Sequence, residues 1–256
     1  MTSADCSHNL KGHILVLNGC EERLQLAIGK VEESGTTLLA SQEWTVPGRS
    51  VGFIAPSIDS MLKGLELTPD NITGVACVRG PGSFTGLRLT IAAAAGFAAG
   101  NALPVAGLKL LPLIAAPLSP ILTGTLYVTT YARRGQVYLQ SFDNGQPIAP
   151  VAACRATEAA ALIASSGPAH VCGSGVRKNP EVFEQLSQEG ISILPPVHDT
   201  PTGHSMLEAS AKALFSTKDI APLYIRESDA EENLEIIATK RGMDPDQARK
   251  RLHRYE

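Results

Sequence analysis

Between Arg79 and Arg88 the chain reads RGPGSFTGLR. Gly80, Pro81 and Gly82 spell a tight turn, and Ser83 stands where an N-cap hydroxyl would accept an otherwise orphaned N–H. Such a turn presents backbone donors near a helix N-terminus, which suits an anion. It lacks the lysine of a Walker loop and the G-x-G-x-x-G of a dinucleotide loop, so nucleotide binding and docking of another protein are both open readings of it.

Other residues that could do chemistry are scattered. The six histidines (His8, His13, His170, His198, His204, His253) form no pair on one helix face; His198 and His204, with Asp199 between, lie six apart. That argues against a metallopeptidase or any metal ligand set. No G-x-S-x-G elbow follows a strand, so a serine hydrolase is not expected. CGSGVRKNP, residues 172–180, reads as a glycine turn after a strand, with nucleotide contact as the alternative. Cys20 has no activating neighbour and reads as a small hairpin residue rather than a nucleophile. The five cysteines are odd in number, with no C-x-x-C pair, which fits a reducing cytoplasm without disulfides or zinc.

At 256 residues the chain can bury a core without staples, and a net charge of −3 gives no global attraction to nucleic acid or anionic membrane. The opening MTSADCSHNLKGH lacks the pattern of a secretion signal. Two uncharged runs, 89–108 and 110–132, are long enough to span a bilayer but are broken by Gly, Asn or Pro, so no membrane span is expected.

Periodicity predicts strands at 13–18, 22–30 and 36–46, a helix at 50–64, a buried strand at 71–79 and a helix at 84–100. After the proline-rich joint LPLIAAPLSP come strands at 124–131, 135–142 and 147–152, a helix at 157–165, a strand at 168–173 and a helix at 179–188. A short strand at 191–194 and a helix at 204–216 close the pattern. Each half reads β-β-β-α-β-α, the layout of an actin-like (ASKHA) two-lobe α/β fold. The lobes are expected at 1–108 and 109–226, the last helix being free to pack back on the first, with a helical tail at 227–256.

VRGPGSFTGLRLTIAAAAGFAAGNALPVAGLKLL, residues 78–111, closely resembles the bacterial TsaB (YeaZ) family, and HILVLNGCEERLQLAIG, YARRGQVYL and APLYIRESDA extend the resemblance over about 13–230. The resemblance implies a subunit that makes threonylcarbamoyladenosine in tRNA together with a catalytic TsaD subunit of similar fold. It further implies docking on TsaD through the helix after the glycine motif, participation of a TsaE ATPase, and contact with tRNA through the complex. On that reading Gly82, Ser83, Phe84, Thr85, Gly86, Arg88, Thr90, Ala93 and Phe97 form the partner interface, a homodimer forms when the partner is missing, and the location is cytoplasmic. No cofactor of its own is implied, with room left for ATP or ADP at a subunit interface.

Actin-like ATPases need one carboxylate in the first hairpin and one at the start of the second lobe. Here stand Asn18-Gly19-Cys20 and Tyr131, at places where the TsaB family usually shows Asp. The chain is thus a divergent member without catalytic residues of its own. The alternatives are an autonomous nucleotide hydrolase or metallopeptidase-like enzyme, and a homodimeric structural protein.

The helix at 84–100 favours docking, since no ionisable side chain occurs between Arg88 and Lys109. Phe84, Leu87, Ile91, Ala94 and Ala98 make a stripe for the sheet; Gly86, Thr90, Ala93, Phe97 and Gly100 make a second, uncharged stripe that a partner would cover, with Arg88 at its rim. The alternative is cover from within the chain. The tail gathers Lys240, Arg241, Arg249, Lys250, Arg251 and Arg254 on two short helices, read as dipole-matched surface helices, with tRNA phosphate contact as the alternative.

Overall fold

The computed structural model describes residues 7–8, 10–225 and 244. Met1–Leu223 is one compact unit and Tyr224–Glu256 a second; the expected tail helices lie outside the described residues. A short strand β1 (Ser7–His8) precedes β2 (Gly12–Asn18), β3 (Arg23–Glu32) and β4 (Gly35–Thr45). Helix α1 (Val51–Gly64), strand β5 (Ile72–Val78), helix α2 (Phe84–Gly100) and strand β6 (Val105–Leu108) follow. The first sheet runs β4-β3-β2-β5-β6. Its hairpin pairs are antiparallel, whereas β5 lies parallel to both β2 and β6.

Helix α3 (Leu110–Ala115) leads into β7 (Thr125–Arg133), β8 (Gln136–Asp143), β9 (Gln146–Pro147) and β10 (Ala152–Arg155). Then come α4 (Ala156–Ser165), β11 (Ala169–Cys172), α5 (Ser174–Lys178), α6 (Pro180–Phe183), β12 (Ser192–Ile193), α7 (Gly203–Ala211) and β13 (Leu214–Phe215), which pairs with β1. The second sheet runs β10-β8-β7-β11-β12, with β9 beside β8. Strand β8 is antiparallel to both β7 and β10, and β11 is parallel to β7 and β12. Both sheets therefore share one strand order and one pattern of directions, the two-lobe actin-like fold.

Alternation along each strand sets the layers. Leu15, Leu17, Leu24, Leu26, Ile28, Val75 and Cys77 pack against α1 and α2. The opposite face of that sheet, with Ile14, Val16, Ala27, Ala76 and Val78, shares one core with α3, α7 and the second sheet's Leu126, Val128 and Phe142. The far face of the second sheet packs Tyr127, Val137, Leu139 and Val171 on α4 and Phe183. Helix α7 does lie against β3 and β4 of the first sheet. Gly29 permits this, because a Cβ there would stand 2.2 Å from a Leu207 methyl and 2.8 Å from the Thr37 carbonyl.

Several elements differ from the periodicity. Strand β6 and helix α3 lie on either side of Lys109 and were not expected, β6 falling between the expected helix and the joint and α3 largely within the joint; five of the six residues of α3 are buried, and Pro112 is accommodated in its first turn, where its missing N–H has no intrahelical partner. The expected helix at 179–188 is split into α6 and a 3-10 turn at Glu184–Glu189, and the stretch before it, expected as a glycine turn, adds the short helix α5. The strand expected at 147–152 is two short strands separated at Pro150, and the last helix ends at Ala211. Among the described residues no helix is long and apolar enough to cross a membrane.

Deleting residues 231–256 is expected to leave the Met1–Leu223 unit folded, with a melting temperature within a few degrees of the full chain by calorimetry. An insoluble product, or one melting far lower, would place the tail in the core.

Candidate docking helix and inter-lobe cleft

The RGPGSFTGLR turn rests on the turn between β2 and β3. The Ser83 N–H donates to the Cys20 carbonyl, and the Gly86 N–H donates to Ser83 Oγ at 3.1 Å. A Cβ on Gly82 would lie 2.2 Å from the Cys20 carbonyl oxygen, and one on Gly86 would lie 2.1 Å from that of Gly19. Thr90 is fully buried, its hydroxyl donating to the Gly86 carbonyl at 2.9 Å. These three residues face the chain's own hairpin. Gly82, Gly86 and Thr90, expected at a partner interface, are held by internal backbone approach, and two of the turn's N–H donors, those of Ser83 and Gly86, are already engaged.

Helix α2 turns Leu87, Ala94 and Ala98 to the sheet with Thr90, as 3.6-residue spacing requires. Ile91, Ala93 and Phe97 are half-buried on its flanks. The outward stripe is Thr85, Arg88, Ala92, Gly96 and Ala99, so its small-residue centre lies at Ala92 rather than Ala93. Ser83 and Phe84 are exposed, and the Arg88 guanidinium lies 3.7 Å from the Phe84 ring centroid. Helix α1 packs beside α2 and presents Val51, 63% exposed, with Ala55 and Pro56. Its position is pinned by Trp44, which donates to Ser57 Oγ at 3.1 Å and stacks tilted on Phe53 at 5.3 Å.

The first-hairpin amide has a structural task. Buried Asn18 accepts from the Cys20 N–H at 3.1 Å and donates to Gln25 Oε1 at 2.8 Å. Gln25 in turn donates to Glu43 at 2.6 Å and to the Pro201 carbonyl at 2.8 Å. Cys20 is buried, and desolvation pushes its thiol well above the usual range, as befits a packed residue that stays protonated.

Across the cleft, the glycine turn after β11 is the second lobe's counterpart of the first motif. Gly173, at φ +111°, leaves no room for a side chain against the Thr129 carbonyl, and its N–H donates to buried Asp199 at 2.8 Å. Arg177 pairs with Asp199 at 2.9 Å. The Tyr131 N–H donates to Ser174 Oγ at 2.9 Å, and that hydroxyl donates to Glu21 of the first hairpin. Lys178 reaches Glu22 at 3.0 Å. Sequence reasoning tested positions 18–20 and 131 for carboxylates and missed Glu21 and Asp199; an acid next to the hairpin turn was the available signal for Glu21. His204 pairs with Glu208 at 3.3 Å on the surface, and no group of three or more His, Cys, Asp or Glu side chains among the described residues could hold a metal ion.

A family model described as TsaD, tRNA N6-adenosine threonylcarbamoyltransferase, matches residues 50–221. The chain belongs to this family. Within the TsaD family it is a divergent member of TsaB (YeaZ) type. The Bacillus subtilis tRNA threonylcarbamoyladenosine biosynthesis protein TsaB is 30% identical over 99 residues, covering 35% of this chain and 40% of that protein. An uncharacterized protein of Mycobacterium leprae is 29% identical over 180 residues, 69% of this chain and 44% of that protein. The matched region thus spans less than half the length of either relative. The structure of YeaZ from Pseudomonas aeruginosa superposes with a TM-score of 0.62 at 17% identity, covering 83% of this chain and 99% of that one, which shows the fold.

The Asn18 network makes a prediction. Asn18→Asp sets a carboxylate against Gln25 Oε1, and Gln25 cannot flip without releasing Glu43 and Pro201. A loss of about 1–3 kcal/mol is expected in urea unfolding; unchanged stability would show that the network rearranges freely.

Proposed function

We propose that this chain is a non-catalytic subunit in the threonylcarbamoyladenosine modification of tRNA, docking on a TsaD-like catalytic partner through the outer faces of α1 and α2. The observation that carries the reading is the outward stripe of α2. Beyond Arg88 it offers Ala92, Gly96 and Ala99 with no charge until Lys109, so another helix can approach closely, and a surface helix without a charged face calls for cover. Family membership and the name of the Bacillus subtilis relative supply the tRNA context.

The absence of catalysis rests on the residues at the two family positions. Asn18 is engaged as an amide, and Tyr131 contributes a backbone N–H and a phenol, neither of which offers Mg²⁺ a negative charge. In this reading the chain holds no cofactor of its own, the place for ATP or ADP is between subunits, a TsaE-like ATPase joins the complex, tRNA is met through the assembly, and the complex is cytoplasmic. The same face serves a homodimer when the partner is missing.

Ala92→Arg should abolish association with a TsaD-like partner in pull-down and calorimetry while helix content and cooperative unfolding stay unchanged. Burying an unpaired guanidinium costs several kcal/mol, and each ~1.4 kcal/mol is a tenfold loss of affinity. Ala98→Arg, on the sheet side, should unfold the protein. Wild-type partner binding by Ala92→Arg would overturn the docking face. Magnesium-dependent ATP turnover near the ordinary enzyme rate of about 10 per second, abolished by a mutation in this chain, would overturn the non-catalytic reading.

A further inference from the structure

The end of the second sheet where β7 turns into β8 is basic. Arg133 and Gln136 close a tight turn, Arg134-Gly135, in which Gly135 takes φ +72°. On the other side of β8, Arg155 of β10 stands opposite the same Gln136, and the Ala156 N–H donates to the Gly135 carbonyl at 2.9 Å. Side chains directly opposite on neighbouring strands share one face of a sheet, so Arg133, Gln136 and Arg155 form a row across β7, β8 and β10, with Arg134 at the turn beside it. Arg133 Nε donates to Gln136 Oε1 at 3.0 Å, which ties the middle of the row, while Arg134 and Arg155 are exposed.

We propose that this row contacts the phosphate backbone of RNA, so that the chain meets RNA with its own second lobe as well as through a partner. The setting carries one sign of charge. Between Thr125 and Thr157 the sequence holds a single acid, Asp143, at the far end of β8 from Gln136. At ~3.4 Å per strand residue it stands about 24 Å away, well beyond the screening length of about 8 Å at physiological salt. The next acid, Glu158, is exposed and accepts the Arg155 N–H at 3.0 Å as it caps α4. In the facing hairpin turn, Glu21 takes the Ser174 hydroxyl and Glu22 takes Lys178. A chain of net charge −3 therefore gathers three guanidinium groups at one end of one sheet.

The arrangement suits a ligand of repeated charge. Neighbouring strands lie ~4.8 Å apart, which sets Arg133 and Arg155 about 10 Å apart along the row. Exposed guanidinium groups gain little from one small anion, because water and salt screen each pair. A run of phosphates meets several of them together and releases counterions at each contact, and the planar guanidinium fork matches two phosphate oxygens at once. That the RNA is tRNA rests on the function proposed above; the phosphate contact does not.

The test uses the full chain by itself and an unmodified tRNA transcript, with binding read by fluorescence anisotropy between about 50 and 200 mM salt. Wild type should bind with an affinity that falls steeply with salt. Arg134→Ala combined with Arg155→Ala should weaken binding roughly tenfold or more at the lower salt and flatten the slope of log K against log salt by about 1–2. Arg134→Lys with Arg155→Lys keeps both charges and should keep most of the slope. The alanine variant should melt like wild type and still associate with a TsaD-like partner, which separates this contact from the docking face that Ala92→Arg probes. Wild-type affinity and slope in the alanine variant would overturn the contact, as would a wild-type chain that does not bind the transcript. Polyglutamate displacing the transcript as well as unlabelled RNA does would assign the row to an acidic protein and overturn the RNA reading.

Discussion

The seating of one turn on another organises the first lobe. The 80–86 turn approaches the 18–20 turn so closely that Gly82 and Gly86 have no space for a Cβ, and a Cβ on Gly19 would collide with the Thr90 side chain. Helix α2 can start only where this contact puts it, with Ser83 as its cap. Once the start is fixed, helical periodicity decides that Leu87, Thr90, Ala94 and Ala98 go inward and that Ala92, Gly96 and Ala99 go outward. The second lobe repeats the device, with Gly173 and Gly175 pressed on Thr129. Each glycine turn thus holds the chain's own β-hairpin.

The layers follow from sheets that are apolar on both faces. Strand β2 is buried on either side, sending Ile14 and Val16 toward α3 and α7, and Leu15 and Leu17 toward α1 and α2. Large side chains such as Phe142 and Phe215 contribute about 1.5–3 kcal/mol each when fully buried. Helix α7 belongs to the second half of the sequence yet packs on β3 and β4, so the lobes share their central core. That shared core leaves α1 and α2 as the outer layer of the first lobe, the face available for association.

The polar groups where the hairpin turn meets the second lobe bind one another. An amide at Asn18 links the hairpin turn to Gln25 and, through it, to Pro201 ahead of α7. A carboxylate is present close by, but as Glu21 it bonds to Ser174 of the opposite lobe. Both residues use their polar groups to join parts of the chain. Buried polar groups demand partners, and here the partners come from the protein itself.

The sequence by itself determined the order of the longer strands and helices, the span of α2 from its Ser83 cap to Gly100, and the uncharged run after Arg88, because local capping and periodicity depend only on nearby residues. It also carried the family resemblance through the 78–111 motif. It could not place β6 or α3, since four apolar residues after Pro104, or six in a proline-containing joint, carry no period of their own and are ordered by the sheet and core they join. Only the tertiary structure decided which side of α2 faces out. Gly86 and Thr90 are small enough to look like docking residues, yet the close approach of Gly19 turns them inward and moves the exposed centre to Ala92. The partner of Glu21 was equally hidden, because Ser174 lies 153 residues away on the other lobe and no local pattern announces that contact.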